Sequence, residues 1–130
     1  MRHASILLGV VVIATVVSLL AALYWYAVSS PYLISAEEAR QRLKQNQFDV
    51  VLDVRTAAER NTLGFYPHSL HIQSADLERE IPHQYTNKQT RFLLYCNTGQ
   101  RARAAAEKLV TMGYPNVRYI AGTYRGLMTP

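Results

Sequence analysis

The segment from residue 91 to residue 101 reads Arg91-Phe-Leu-Leu-Tyr-Cys-Asn-Thr-Gly-Gln-Arg101. An apolar run precedes Cys96 and an alanine-rich stretch begins at Ala102, so the segment predicts a strand, a tight loop and the start of a helix. Such a loop directs backbone N–H groups and the positive end of the helix dipole at one point, which favours anions. Cys96, the only cysteine, is therefore placed to react as a thiolate, although an isolated cysteine is more often a small buried apolar residue.

Strand and helix patterns alternate on both sides of this segment. Ser35 and Thr56 each stand three residues before a glutamate, which is the spacing of a capping box, and Ser74 is predicted to cap a short helical turn. Residues 82–90 are polar and predict a surface connection. The predicted helices span residues 36–45, 56–64, 74–80 and 101–112, and the predicted strands span residues 48–54, 69–72, 91–95 and 117–120.

This alternation lacks tight hairpin signals and therefore implies crossover connections. The sequence predicts an α/β fold with a small, mainly parallel sheet and helices on both faces. In such sheets ligands bind at the C-terminal ends of the strands. We therefore expect Cys96 at the edge of the site, with Asp53 and Arg55 on the same edge of the sheet.

The first quarter of the chain is apolar and predicts a membrane span. Residues 6–28 could reach about 35 Å at about 1.5 Å of rise per residue, enough to cross a hydrocarbon core of about 30 Å. The block ends in Tyr24-Trp-Tyr26, whose rings suit the membrane–water interface. The alternative is a cleaved signal peptide, with Ala27-Val-Ser29 as the cleavage site, but the length of the apolar block favours an uncleaved anchor. We expect this anchor in residues 1–30 and one small domain in residues 31–130.

Composition limits the chemistry of that domain. One thiol allows no internal disulfide and leaves no second cysteine to resolve an oxidised Cys96. The histidines and the cysteine lack metal-ligand spacing, so we expect neither a metal nor another cofactor. From Lys88 onward there are seven Lys or Arg residues against Glu107 alone. These charges are dispersed and match no nucleic-acid reader motif, which favours an anionic small substrate over nucleic acid.

The loop Tyr95-Cys-Asn-Thr-Gly-Gln-Arg101 resembles the active-site loop of single-domain rhodaneses, the thiosulfate sulfurtransferases. Other landmarks of the family have similar counterparts here in the same order. They are Leu52-Asp-Val-Arg55, Glu59, Gly64-Phe-Tyr-Pro67, Met112-Gly-Tyr114 and Ala121-Gly122. The loop sequence most resembles that of the small periplasmic rhodaneses of the phage-shock type. Departures from the pattern are Phe65 for His, His68 for Gly, Asn97 for Arg and Ala121 for Gly.

Loop length separates two reactions. Cysteine phosphatases and the related arsenate reductases place five residues between Cys and Arg, because their loop wraps a tetrahedral oxyanion. Four residues separate Cys96 from Arg101, and Ala102 stands where the longer pattern needs Arg. The shorter loop makes a smaller cradle, which in the resembled family suits a persulfide sulfur. Sulfur transfer is therefore favoured over phosphoryl transfer.

The resemblance implies a mechanism and a set of site residues. The Cys96 thiolate attacks the outer sulfur of thiosulfate or a similar donor, releases sulfite, and passes the sulfur of its persulfide to cyanide or a thiol. Backbone N–H groups of the loop would stabilise the thiolate and the persulfide, and Arg101 would hold the anionic donor. The loop residues expected to bind substrate are Asn97, Thr98, Gly99, Gln100 and Arg101.

Other polar residues receive structural interpretations. Asp53 and Arg55 are predicted to form a charge pair near the site, with substrate contact by Arg55 as the alternative. His68, His71 and His83 are interpreted as turn or surface residues. A non-catalytic domain that recruits a partner to the membrane is the remaining functional alternative, although the presence of Cys96 argues for chemistry.

The side of the membrane is the last expectation. Arg40, Arg42 and Lys44 follow the apolar block more densely than Arg2 precedes it, which favours a cytoplasmic domain. The resemblance and the short N-terminal tail favour the periplasm. We expect a single-pass protein of the cell (inner) membrane with its domain on the periplasmic side.

Overall fold

The computed structural model describes residues 1–128. Single 3-10 turns cover Ser74–Asp76 and Tyr124–Leu127. The helices are α1 (Arg2–Val28), α2 (Ala36–Lys44), α3 (Ala57–Leu63), α4 (Leu77–Gln84) and α5 (Gln100–Thr111). The strands are β1 (Val50–Asp53), β2 (Leu70–His71), β3 (Phe92–Tyr95) and β4 (Val117–Tyr119).

The four strands form one parallel sheet in the order β2-β1-β3-β4. Val50 of β1 pairs with Phe92 of β3, and Asp53 pairs with Tyr95. The last residues of β1 and β3 are thus side by side, and the residues that follow them leave the sheet at one edge. The predicted α/β fold with a parallel sheet is confirmed.

Side chains alternate between the two faces of the sheet, and each face has its own apolar core. Phe92 and Leu94 of β3 pack with residues of α4 and α5, such as Ile81 and Leu109. Leu93 and Tyr95 face the other way, toward a smaller cluster that α2 and the 124–127 turn complete with Ala39 and Leu127. Four consecutive buried residues in β3 are what a strand covered on both faces requires.

The helix ends follow the predicted local chemistry in three places. The Ser35 and Thr56 side chains accept hydrogen bonds from the N–H groups of Glu38 and Glu59, at 3.1 and 3.2 Å. Gly113, with φ of 101°, follows α5 and lets its last turn close. The caps at Ser35 and Thr56 and the glycine stop are confirmed, but the Glu38 and Glu59 side chains pair with Arg42 and Arg101 and do not complete the capping boxes.

The prediction for residues 74–90 was wrong in two respects. Ser74 makes no capping hydrogen bond, and the turn that contains it leads directly into α4. This helix continues through Pro82 to Gln84, so the surface connection is shorter than predicted. A proline in a helix removes one hydrogen bond. Burial of Leu77 and Ile81 on the sheet side offsets that loss, and sequence polarity alone does not reveal it.

Helix α1 has 27 residues, about 40 Å at 1.5 Å per residue, and is long and apolar enough to span a membrane. Nearly all of it is exposed, and its aromatic end includes Trp25, which is 69% exposed. Only its last turns meet the domain, where Ala27 is 1% exposed.

Candidate active site

Cys96 follows the last residue of β3 and is 1% exposed. The N–H of Gly99 donates a hydrogen bond to the Cys96 Sγ at 3.1 Å. In the described residues this is the one hydrogen bond to the sulfur, whereas the sequence predicted a set of N–H donors from Asn97 to Arg101. The thiol therefore lies in a backbone turn just before the N-terminus of α5.

Gly99 is required by both conformation and space. Its φ is 102°, in the left-handed region that side-chain-bearing residues rarely adopt. A Cβ atom there would lie 2.8 Å from the Ala121 Cα and 3.2 Å from the Ala27 Cβ. The cysteine loop is thus pressed against both the turn after β4 and the end of α1.

Arg55 is the largest fully buried side chain near the loop, at 1% exposure. Its guanidinium donates to both carboxylate oxygens of Asp53, at 2.9 and 2.8 Å, and to the Gly64 carbonyl at 2.7 Å. Another N–H of the same group lies 3.3 Å from the Asn97 Oδ1. The Asp53–Arg55 pair therefore connects β1 to the α3 end and to the cysteine loop.

Asp53 accepts further hydrogen bonds from Arg60, at 3.1 Å, and from the Tyr95 hydroxyl, at 3.0 Å. Burial alone would raise the pKa of Asp53, but the hydrogen bonds from Arg55 and Tyr95 hold it below the ordinary value of 3.8. Burial raises the pKa of Tyr95, so its hydroxyl stays protonated and donates a hydrogen bond to Asp53. Asp53 is a buried carboxylate with every contact supplied by a donor.

Arg101 and Asn97 meet at Glu59 of α3. The Arg101 guanidinium lies 2.9 Å from one Glu59 oxygen and 3.2 Å from the other, and the Asn97 amide lies 3.5 Å from the first. A cation in the first turn of a helix is disfavoured by the dipole, and Glu59 neutralises it here. The sequence singled out Arg101 as a donor-binding cation, and the structure places it against a carboxylate.

A cavity of about 470 Å³ opens beside the cysteine loop. Arg55, Asn97 and Thr98 line it on the loop side. Leu63 and residues 123–125 line the other side. Arg125 was missed by the sequence reasoning, because it lies in a short segment after the last strand that carries no motif.

The remaining predicted residues lie in the loop or near it. The Thr98 hydroxyl contacts the Gln100 side chain, and the Gln100 amide lies 3.5 Å from the Leu23 carbonyl of α1. His71 was interpreted as a turn or surface residue, but it ends β2 and its Nε2 lies 2.7 Å from the Arg55 carbonyl. In residues 1–128 no group of three His, Cys, Asp or Glu side chains is arranged to hold a metal ion.

A second cavity, of about 340 Å³, lies at the opposite edge of the sheet, where the strands begin. Arg42, Arg91 and Arg118 line it with Gln47. Arg91 is paired with Asp49, and its hydrogen bonds lower the pKa of that carboxyl to about 2. This cavity contains no nucleophile, so the cysteine edge is the candidate active site.

Comparison with known proteins gives a family and a fold. A family model described as "Rhodanese-like domain" matches residues 35–129. A human single-domain sulfurtransferase is 24% identical, with a TM-score of 0.61, and the match covers 75% of this chain and 95% of that one. Thiosulfate sulfurtransferase from Pseudomonas aeruginosa is 24% identical, with a TM-score of 0.58, and the match covers 72% of this chain and 18% of that one.

A third similar structure has a different description. It is a protein of unknown function from Rhodopseudomonas palustris, described as a possible tyrosine phosphatase. The identity is 26% and the TM-score is 0.68, and the match covers 82% of this chain and 86% of that one. No curated protein matches the chain significantly.

Proposed function

Because the chain belongs to the rhodanese-like family, we propose that it is a membrane-anchored sulfurtransferase in which Cys96 carries the transferred sulfur. The observation that carries the proposal is the position of this thiol. It lies in a four-residue loop between the end of a parallel strand and the N-terminus of α5, with the Gly99 N–H donating to Sγ. A thiolate and a persulfide are both anions that this arrangement favours.

The proposed reaction has two displacements. The Cys96 thiolate attacks the outer sulfur of thiosulfate, the S–S bond of thiosulfate breaks, and sulfite leaves with the bonding electron pair. The product on the protein is a Cys96 persulfide anion. Cyanide or a thiolate acceptor then attacks the outer sulfur, and the S–S bond between the Cys96 Sγ and that sulfur breaks. The Cys96 thiolate is restored, and the product is thiocyanate or a hydropersulfide. With no second cysteine in the chain, the acceptor must be another molecule.

The loop and its neighbours divide the remaining roles. Gly99 stabilises the sulfur anion through its N–H, and Asn97, Thr98 and Gln100 shape the loop around it. Arg101 takes the donor by exchanging part of its contact with Glu59 for the donor anion. Arg125, exposed at the cavity beside Thr98, is a further cation for an anionic donor. Asp53 and Arg55 hold the frame of the site.

The membrane part of the proposal concerns α1. We propose that this helix is an uncleaved single-pass anchor in the inner membrane, with the domain on the periplasmic side. Packing supports the uncleaved helix, because cleavage after Ser29 would remove Ala27, which is buried against the domain. The Tyr119 hydroxyl donates to the Ala27 carbonyl, a contact that a cleaved chain would lose.

The test is the intact mass of the full chain in detergent, before and after thiosulfate, with Cys96→Ser as the control. The expected result is a gain of one sulfur mass, about 32 Da, on the wild type alone, and its removal by cyanide with formation of thiocyanate. A fresh, reduced protein that gains no mass from thiosulfate or from another sulfane donor would overturn the proposal and favour a binding module.

A phosphatase is the second candidate, on the strength of the Rhodopseudomonas palustris protein and its description. Two features of this chain oppose it. The loop has four residues between Cys96 and Arg101, and the Arg101 guanidinium faces Glu59. Release of phosphate from an aryl phosphate by the wild type but not by Cys96→Ser would support this candidate instead.

A further inference from the structure

Helices α1 and α5 lie side by side and run in the same direction. The Gln100 amide, at the start of α5, lies 3.5 Å from the Leu23 carbonyl. One turn further along α5, the Arg103 guanidinium stacks 4.0 Å from the centre of the Tyr26 ring and donates to the Ser29 hydroxyl at 3.1 Å. Residues later in α5 therefore contact residues later in α1, as expected for two helices that run in the same direction. The exposed part of α1 extends past the N-terminus of α5.

The N-terminus of α5 marks the edge of the sheet that carries the cysteine loop. The exposed, apolar part of α1 thus leaves the domain beyond that edge. Gly99 packs against Ala27 and the Gln100 amide reaches the Leu23 carbonyl, so the cysteine loop lies beside the aromatic segment Tyr24-Trp-Tyr26. Rings of this kind prefer the membrane–water interface. With α1 across a bilayer, the cysteine loop lies at the depth of that interface.

The connection between helix and domain is packed, so α1 fixes this orientation. Ala27 is 1% exposed and its carbonyl accepts a hydrogen bond from the buried Tyr119. Arg103 contacts the Tyr26 carbonyl as well as its ring. A helix held in this way orients the domain that it anchors.

The surface around the mouth of the site cavity has the composition that a headgroup region accepts. Leu63 is 50% exposed and lines the cavity with Thr98, and Phe65 is 44% exposed. Apart from Met1 and the residues of α1, these are two of the three large apolar side chains that are exposed in the described residues, with Met128 as the third. Arg125 adds a cation at the same mouth, which suits lipid phosphates.

We propose that this mouth surface, formed by Leu63, Thr98 and Arg125, docks on the headgroup region of the bilayer that α1 crosses. The inference rests on the membrane anchor of the proposed function but not on its chemistry. Its consequence is that substrates reach Cys96 along the membrane surface, while the arginine-lined cavity at the opposite edge of the sheet faces the aqueous phase.

The test places a fluorescent nitrobenzoxadiazole probe on the full chain in a Cys96→Ser background, at Leu63→Cys or at Gln47→Cys. Gln47 is exposed at the opposite edge and is the matched control. The protein is reconstituted into phosphatidylcholine vesicles that contain a lipid with a nitroxide on its headgroup. We expect the probe at position 63 to be quenched several-fold more than the probe at position 47. Equal quenching, or stronger quenching at position 47, would overturn the proposal.

Two further measurements keep the result interpretable. Phe65→Cys, at an exposed residue two positions after Leu63, provides a second probe beside the mouth surface if Leu63→Cys fails to fold, and it carries the same expectation. Because the background lacks Cys96, quenching is independent of sulfur chemistry, and the mass experiment in detergent is independent of lipid. A failed docking test and a failed sulfurtransferase test are therefore separate outcomes.

Discussion

At the scale of single residues, Gly99 is where the cysteine loop, the turn at Ala121 and the end of α1 meet. Gly99→Ala introduces a Cβ into contact with Ala121 and requires a side-chain-bearing residue at φ of 102°. We expect a loss of about 2–3 kcal/mol in the free energy of unfolding, measured by denaturant titration. We also expect slower persulfide formation, measured by mass, because the Gly99 N–H moves away from Sγ.

Gly122→Ala is the matched control for that change. Gly122 follows Ala121 in the turn that Gly99 packs against, its φ is outside the left-handed region, and a Cβ there meets nothing within 4 Å. We expect its stability and its rate of persulfide formation to match the wild type. If both alanine variants behave alike, tight packing at Gly99 does not control the loop.

Asp53 makes stability depend on pH. Burial would raise its pKa, but its hydrogen bonds lower it below 3.8, so its stabilising contribution is complete above that value and is lost as the pH falls below it. We expect the free energy of unfolding to stay level from pH 7 to about 5 and to fall below about 4. Asp49 has a pKa of about 2, so its contribution to stability is lost over the same acid range, but its side chain is half exposed.

Asp53→Asn distinguishes the contribution of Asp53 to this pH dependence from that of Asp49. The change leaves the buried Arg55 without its counter-ion, and we expect a cost of roughly 3–5 kcal/mol at pH 7. Much of the acid-induced loss should then disappear. Asp49→Asn is the comparison, and we expect it to retain most of that loss. Thermal unfolding of the three proteins between pH 3 and pH 7 measures both effects, and an unchanged acid profile in Asp53→Asn would contradict the assignment.

Residue pairs that are close in sequence were predictable, and those joined only by the fold were not. Asp53 and Arg55 are two residues apart on a strand end, and the sequence predicted their pairing, as the structure shows it. Arg60 and Tyr95 reach the same carboxylate from a helix and from a neighbouring strand. The Tyr95 contact depends on the register of β1 against β3, and the Arg60 contact depends on how α3 packs beside β1; a single sequence specifies neither. The roles proposed for the loop residues remain predictions.

At the scale of helices, capping separates two serines that look alike in sequence. The Ser35 hydroxyl accepts a hydrogen bond from the Glu38 N–H, whereas Ser74 caps nothing. We expect Ser35→Ala to cost about 1 kcal/mol and Ser74→Ala to cost much less. Denaturant titration of the two variants measures the difference. Equal costs would mean that the cap at Ser35 adds nothing to stability.

The elements themselves were largely predictable because each carries its own periodicity and end signals. The exception is α4, whose sequence contains Pro82 and mostly polar residues. Its helical form depends on Leu77 and Ile81, two residues four positions apart that are both fully buried. An eight-residue helix with only one such pair gives too short a pattern to outweigh a proline.

At the scale of the whole molecule, the domain itself completes the end of α1. The last four carbonyls of a helix lack partners within it. The buried Tyr119 hydroxyl donates to the Ala27 carbonyl, and Arg103 donates to the Tyr26 carbonyl. Burial raises the pKa of Tyr119, which keeps this donor protonated. Helix α1 and the candidate site are thus joined through β4 and α5, the elements on either side of the cysteine loop.

Tyr119→Phe tests this connection while preserving the ring. It leaves the Ala27 carbonyl buried without a partner. We expect the free energy of unfolding of the full chain, measured by thermal unfolding in detergent, to fall by about 1–3 kcal/mol. Hydrogen exchange in residues 28–34, which join α1 to the domain, should become faster. Tyr24→Phe is the control, because Tyr24 is 68% exposed, and it should change neither. If exchange in residues 28–34 stays as slow in Tyr119→Phe as in the wild type, the hydroxyl does not hold α1, and the fixed orientation inferred for the site loses one of its supports.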